Sequence, residues 1–216
     1  RLLLSLSSAG RPIEVKADHV ILAIPFSVLR GVRIHDNVGL SARKRRSIAE
    51  LGYGTNAKLL LGFRARSWKD RGLSGEIFTT LPIQSTWDQS RGQPSSTGLL
   101  TNYTGGARGL ALCAGSVAER HREAIADLDA ILPGLGEVAG RCARAAWPTH
   151  ELFRGSYSAW LVGQMSGFGG VEGEPEGGNL HFAGEHTSRE FNGYMEGGAE
   201  SGERAAREVA AALSPG

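Results

Sequence analysis

Two cysteines, Cys113 and Cys142, in a chain of 216 residues are too few for a disulfide framework and read as small buried hydrophobes. A surplus of either charge is also lacking, with 24 Lys and Arg against 22 Asp and Glu. The resulting balance of +2 offers no polycationic face for nucleic acid or an anionic membrane. No apolar run approaches the roughly 20 residues of a membrane-spanning helix, so no membrane span is expected. No metal site is expected either. The chain opens on Arg1 rather than methionine, as a processed chain or a piece of something longer would. The length is enough to bury a core in one large domain or two small ones.

Glycine, in contrast, is plentiful. The 31 glycines gather in connections and near the last helix, with no repeat period. Leu2–Leu6 and Ile13–Val15 read as short strands around Ser8, Ala9 and Gly10. Val20–Ile24, an unbroken apolar run stopped by Pro25, reads as an interior strand covered on both faces. Ser41 is placed to cap a helix running to about Leu51, with Arg43–Arg46 (RKRR) on a solvated face. Further strands are expected at Ala57–Phe63, Glu76–Leu81 and Thr97–Tyr103, and a helix at Val117–Leu132. Glu172–Gly178 reads as a surface connection.

The stretch His181–Gly198 (HFAGEHTSREFNGYMEGG) combines an apolar strand, a glycine turn, a polar loop and a helix start. In the helix that follows, Ala206, Val209, Ala210 and Leu213 share one face. Glu200–Arg204 and Glu203–Arg207 are spaced as i,i+4 pairs on another. Gly197, Gly198 and Gly202 stand in its first turns, each at a cost of about 1 kcal/mol against alanine. A helix that tolerates this either packs very closely on a neighbour or admits a ligand to its backbone. Unpaired N–H groups and the helix dipole at such a start suit an electron-rich ligand.

Phe182–Ala206 resembles the carboxyl-terminal flavin-binding signature of the flavin-containing amine oxidases, the group of monoamine, polyamine and L-amino-acid oxidases. Three other stretches resemble that family in the same order: Ala17–Pro25, Leu51–Phe63 and Trp147–Gln164 (WPTHELFRGSYSAWLVGQ). The resemblance implies an α/β fold, the carboxyl-terminal half of a two-domain flavin amine oxidase. Residues 1–30 and 151–216 would belong to an FAD-binding domain, and 31–150 to a mixed-sheet substrate-binding domain.

By that resemblance Gly184 and Glu185 lie along the ribityl and phosphate part of FAD. Gly193, Tyr194, Met195, Glu196, Gly197 and Gly198 lie at its ring edge. Lys58 matches the lysine that holds a water near flavin N5, and Trp147 a tryptophan packed near the ring. Tyr157 and Tyr194 match the walls of the amine's path. Ser156 stands where some members carry the cysteine that links flavin covalently, so FAD is expected to be non-covalent. The implied reaction is oxidative deamination of a small-molecule amine, a monoamine or L-amino acid, with O2 as acceptor. A polyamine oxidase, with Asp88 contributing an acidic lining, and a flavin-free binding module are the alternatives. The family's G-x-G-x-x-G turn is absent after any strand; Gly167–Gly170 (GFGG) follows no long apolar run. An amino-terminal FAD-binding half is therefore expected as a partner, whether a separate chain, a cleaved subunit or a missing region. The protein is expected to be soluble, cytoplasmic, or exported if that missing part carries a signal.

Overall fold

The computed structural model describes residues 1–214. Strands β1 (Leu2–Ser8), β2 (Arg11–Ala17) and β3 (Val20–Leu22) precede helices α1 (Phe26–Leu29) and α2 (Ala42–Glu50). Next come β4 (Ala57–Phe63), α3 (Ser67–Asp70), β5 (Ile77–Phe78), β6 (Ser85–Asp88) and β7 (Gly98–Thr104). Helices α4 (Gly106–Cys113) and α5 (Val117–Ile131) lead to β8 (Ala139–Ala145). The chain closes with α6 (Gln164–Phe168), β9 (Leu180–Phe182) and α7 (Met195–Leu213). Mixed helix and sheet accords with the expected α/β class.

The chain divides into two compact units: Arg1–Tyr53 with the chain from Tyr157 onward, and Gly54–Ser156. Residues 31–53, expected with the substrate-binding domain, pack in the first unit, where α2 lies against α1 and α6.

In the second unit the sheet runs β5-β6-β7-β4-β8, with every neighbouring pair antiparallel. Alternation along β4 decides its faces. Ala57, Leu59, Leu61 and Phe63 are buried in a core with Trp68, Leu100, Leu112, Ala124 and Leu128. Lys58, Leu60 and Gly62 take the opposite face. α5 begins where expected because Ser116 and Glu119 form a reciprocal capping box. The strand expected over Glu76–Leu81 shortens to Ile77–Phe78, since the chain turns ahead of Gln84, whose φ is 55°. Strand β8, AGRCARA, was not foreseen; its apolar residues are small and leave little periodic signal.

In the first unit β1 and β2 form a hairpin turning through Ala9 and Gly10, both at positive φ. β3 pairs in parallel with β9. Among the described residues β3 has that one strand neighbour, and Ile21 is exposed, so the expected two-sided cover is not present. Phe26, Leu29, Ile48, Leu51, Phe168, Leu180 and Phe182 make the core.

Two sequence expectations about helices are corrected. On α7 the buried residues are Gly197, Ser201 and Ala205, while Ala206, Ala210 and Leu213 are exposed. Small side chains let the 185–187 turn approach the helix closely, and this contact sets the face. Glu203–Arg207 pairs as expected, but Arg204 pairs with Glu208 and Glu200 accepts from Ser188.

On α2 the RKRR stretch is not wholly solvated: Lys44 is fully buried. Its Nζ donates to the carbonyls of Glu172 (2.9 Å) and Glu174 (2.7 Å), and lies 3.7 Å from the centre of the Phe182 ring. Ser41 and Ser47 add hydrogen bonds to Glu176 and Glu172, so the 172–176 connection is fastened to α2. Helix period explains the surprise, because Ser41, Lys44, Ser47 and Ile48 share one face. Burial pushes the Lys44 ammonium down from 10.5 to about 7, with neighbouring glutamates opposing the shift. Between those pH values the unfolded chain binds a proton that the folded one does not, so stability rises with pH across that window. Denaturant unfolding should therefore show wild-type stability rising relative to Lys44→Met between about pH 7 and 9, by at most about 1.4 kcal/mol per unit. A difference that stays flat would show that Lys44 keeps its ordinary affinity for the proton.

Candidate functional site

The signature stretch closes on itself through one carboxylate. Glu185 accepts from the N–H of Ser158 (2.8 Å), the hydroxyl of Ser158 (2.7 Å) and the N–H of Gly193 (2.7 Å). Asn192 adds a bond from Nδ2 to the Ser158 hydroxyl at 2.8 Å. The 157–158 segment and the turn into α7 are thereby tied to the end of β9. Gly193 has φ of 85°, a left-handed backbone that glycine adopts without strain, and a Cβ there would lie 3.6 Å from the Tyr157 ring. Tyr157 therefore flanks the residue that precedes Tyr194.

The start of α7 is open. Tyr194 is its N-cap residue and no side chain caps the first turn. Tyr194 and Met195 are 71% and 95% exposed. The glycines differ in their reasons. A Cβ at Gly197 would stand 2.3 Å from the Phe191 carbonyl oxygen, and one at Gly184 2.6 Å from the His186 ring, so this chain's own packing demands glycine at both. Among the described residues, beyond the helix's own adjacent backbone, nothing lies within 4 Å of a Cβ at Gly198 or Gly202. His186, under the Gly184 turn, stacks edge-on against Phe26 at 4.4 Å. Burial first, then Lys44 and Arg204, depresses its pKa to about 3, so the imidazole is neutral at ordinary pH.

In the second unit Lys58 sits in an aromatic box. Its Nζ lies 5.3 Å from the Trp87 ring, 5.5 Å from Tyr103 and 5.6 Å from Trp147. Among the described residues no carboxylate forms an ion pair with it, so π-faces take the place of a counter-ion. Strand register builds the box: Tyr103 faces Lys58 across β4–β7, and Trp87 packs edge-on against Tyr103 at 6.0 Å. Trp147 stands in the short turn just after β8.

Sequence reasoning placed Lys58 and Trp147 but missed Trp87, Tyr103, Ser158 and Asn192. Cross-strand pairing, invisible before the register is known, supplies the first two. The N-G step ahead of a helix was the available signal for Asn192. Asp88 is corrected: it faces the core, 6% exposed, accepting from Trp68 Nε1 at 3.1 Å and from the N–H and hydroxyl of Ser90. It cannot line an acidic tunnel. Ser156 donates to the Asn56 carboxamide oxygen at 3.0 Å.

The arrangement suits a flavin. An uncapped helix start, with Gly198 in its first turn not required by packing among the described residues, leaves backbone N–H groups approachable by a flat, electron-rich ring. Gly193, Tyr194, Met195 and Gly198 would hold it, with Gly184 and the backbone of Glu185 further along.

Comparison with known proteins agrees. A family described as flavin containing amine oxidoreductase matches residues 5–210. YobN of Bacillus subtilis (strain 168), provisionally named an L-amino-acid oxidase, is 33% identical over 199 residues, covering 89% of this chain and 41% of that protein. A flavin-containing amine oxidase of Danio rerio is 29% identical over 236 residues, covering 99% and 42%. Cyclohexylamine oxidase from Brevibacterium oxydans IH-35A shares the fold with a TM-score of 0.83 at 23% identity, over 98% of this chain and 46% of its own. The chain thus spans about two-fifths of the curated relatives' length. With the family match running through 206 of the 216 residues (5 to 210 inclusive), the chain belongs to the flavin-containing amine oxidoreductases.

Proposed function

We propose that this chain forms part of an FAD-dependent amine oxidase that oxidatively deaminates a primary or secondary amine, a monoamine or L-amino acid. The products are an imine, hydrolysed to an aldehyde or keto acid, and hydrogen peroxide. When bound, FAD supplies the two-electron acceptor for the amine-bearing carbon and the route of those electrons to dioxygen. The observation that carries this reading is the open start of α7 with Tyr157 packed beside Gly193.

The chain's own groups have distinct tasks. The first N–H groups of α7 stabilise negative charge on a ring edge placed against them. Tyr157 and Tyr194 offer aromatic faces that attract an ammonium, exclude water and orient the amine. Lys58 holds a water by its ammonium, and Trp147 packs beside it. The unit formed by residues 1–53 and 157 onward binds FAD, and the 54–156 unit binds the amine. FAD is held without a covalent link, since Ser156 carries no thiol. An amino-terminal half with a glycine-rich pyrophosphate turn completes the site; the share of the relatives that this chain covers supports that reading.

Three measurements on the complete flavoprotein follow. Amine-dependent peroxide release with bound FAD is expected, and a flavin-containing preparation inert towards all simple amines would overturn the reading. Tyr194→Ala should keep its flavin while kcat/KM falls about tenfold, the value of one ring–ammonium contact; unchanged turnover removes Tyr194 from the amine's path. Glu185→Ala leaves the Ser158 and Gly193 N–H donors without their acceptor. It should cost about 2 kcal/mol in denaturant unfolding and weaken FAD binding with it. Full stability in that variant would show that the brace is dispensable.

A further inference from the structure

Two lysines of this chain are drawn away from solvent, and they are held by different means. Lys44 spends N–H groups on two carbonyl oxygens. Among the described residues the Lys58 ammonium donates no hydrogen bond, and its neighbours are the rings of Trp87, Tyr103 and Trp147. The other charges that alternation brings to this sheet face, Glu76 ahead of β5 and Arg141 on β8, form no ion pair with it among the described residues.

The difference has a chemical consequence. A carboxylate or carbonyl fixes an ammonium by taking its N–H groups. A ring face attracts the charge through its quadrupole and claims no particular N–H group. Three ring faces therefore define where the ammonium sits and leave its donors to water. The rings are themselves fixed. Tyr103 stands opposite Lys58 across β4–β7, and Trp87, paired with Thr101 on the next rung, packs edge-on against it at 6.0 Å. The indole Nε1 of Trp87 donates to Gln89 Oε1 at 2.8 Å, which sets the plane of that ring.

We propose that Trp87 and Tyr103 are positioning residues for the oxidase reaction, fixing the Lys58 ammonium by their ring faces while leaving its N–H groups to hold a water, with Gln89 orienting the indole. The inference rests on the oxidase reading above and deepens it. Dioxygen becomes negatively charged as it accepts electrons, so a cation held in place favours that step. Losing a ring should cost more there than in oxidation of the amine.

The test takes the complete flavoprotein, reduces it photochemically without amine, mixes it with air-saturated buffer and times the return of flavin absorbance. Trp87→Leu and Tyr103→Leu should each slow that return about fivefold, the value of one ring–ammonium contact, at unchanged flavin content. Trp87→Phe and Tyr103→Phe keep a π-face and should recover most of the rate. Gln89→Leu, at an exposed position, frees the indole without touching the core and should slow the return about twofold. A second readout is independent of oxidation. With lysine labelled at Cε, the Lys58 methylene signal, assigned by its loss in Lys58→Met, should lie upfield of exposed lysines through the ring currents. It should move towards them in Trp87→Leu. Wild-type return of colour in both leucine variants, or a methylene signal that stays in place, overturns the proposal. Should the leucine variants lose their flavin, Gln89→Leu decides, and wild-type rate and signal there overturn it equally. If the wild-type protein is inert to dioxygen, the oxidase reading falls, and the methylene signal still decides whether the rings hold the ammonium.

Discussion

The first unit's site depends on a single carboxylate. Glu185 gathers two N–H groups and a hydroxyl from segments far apart in the chain, at 158 and 193. Hydrogen bonds to a charged acceptor are the stronger kind, and here three converge on one group. They close the left-handed turn at Gly193 and add to the backbone bridge of Ser158 with Tyr53 that already fixes the Tyr157 segment. The open start of α7 is therefore held by a loop network rather than by a cap of its own. Rigidity around the helix start, combined with exposure at it, is what a binding site needs and what a merely structural helix does not.

Lys44 does comparable work beneath. Its ammonium reaches two carbonyls of the 172–176 connection and the face of Phe182, the residue that ends β9. Burying a lysine is costly, and the fall of its pKa to about 7 expresses that cost. The same charge helps keep His186 neutral below the Gly184 turn. Helix α2, the 172–176 connection and the signature turn thus share one buried electrostatic centre.

What the sequence revealed and what it hid divide along physical lines. Local chemistry was legible: the Ser41 cap, the Ala57–Phe63 strand, the Val117–Leu132 helix and the strand–turn–helix of the signature each depend on near neighbours. The box around Lys58 was half legible. Lys58 and Trp147 stood out by resemblance, but Trp87 and Tyr103 join them only through the β6–β7–β4 register, which pairing at long range decides. Lys44 was misread because a run of four basic residues suggests solvent, whereas the helix period turns one of them inward. The apolar stripe on α7 misled for a related reason. Close approach to the 185–187 turn favours the smallest side chains over the most hydrophobic ones.

Glycines in α7 sharpen that last point. Helix propensity alone would remove all three of Gly197, Gly198 and Gly202, at a gain of about 1 kcal/mol each. Gly197 is held by the fold, because any side chain would strike the Phe191 carbonyl and the Ser188 side chain. Gly198 and Gly202 are under no such constraint, since a Cβ at either would meet nothing among the described residues beyond the helix's own backbone. Intrachain packing thus accounts for one glycine and leaves two helix-weakening residues without a reason in the fold. Gly198 adjoins the uncapped start of α7 with its unpaired N–H groups, whereas Gly202, the eighth helical residue, lies beyond them.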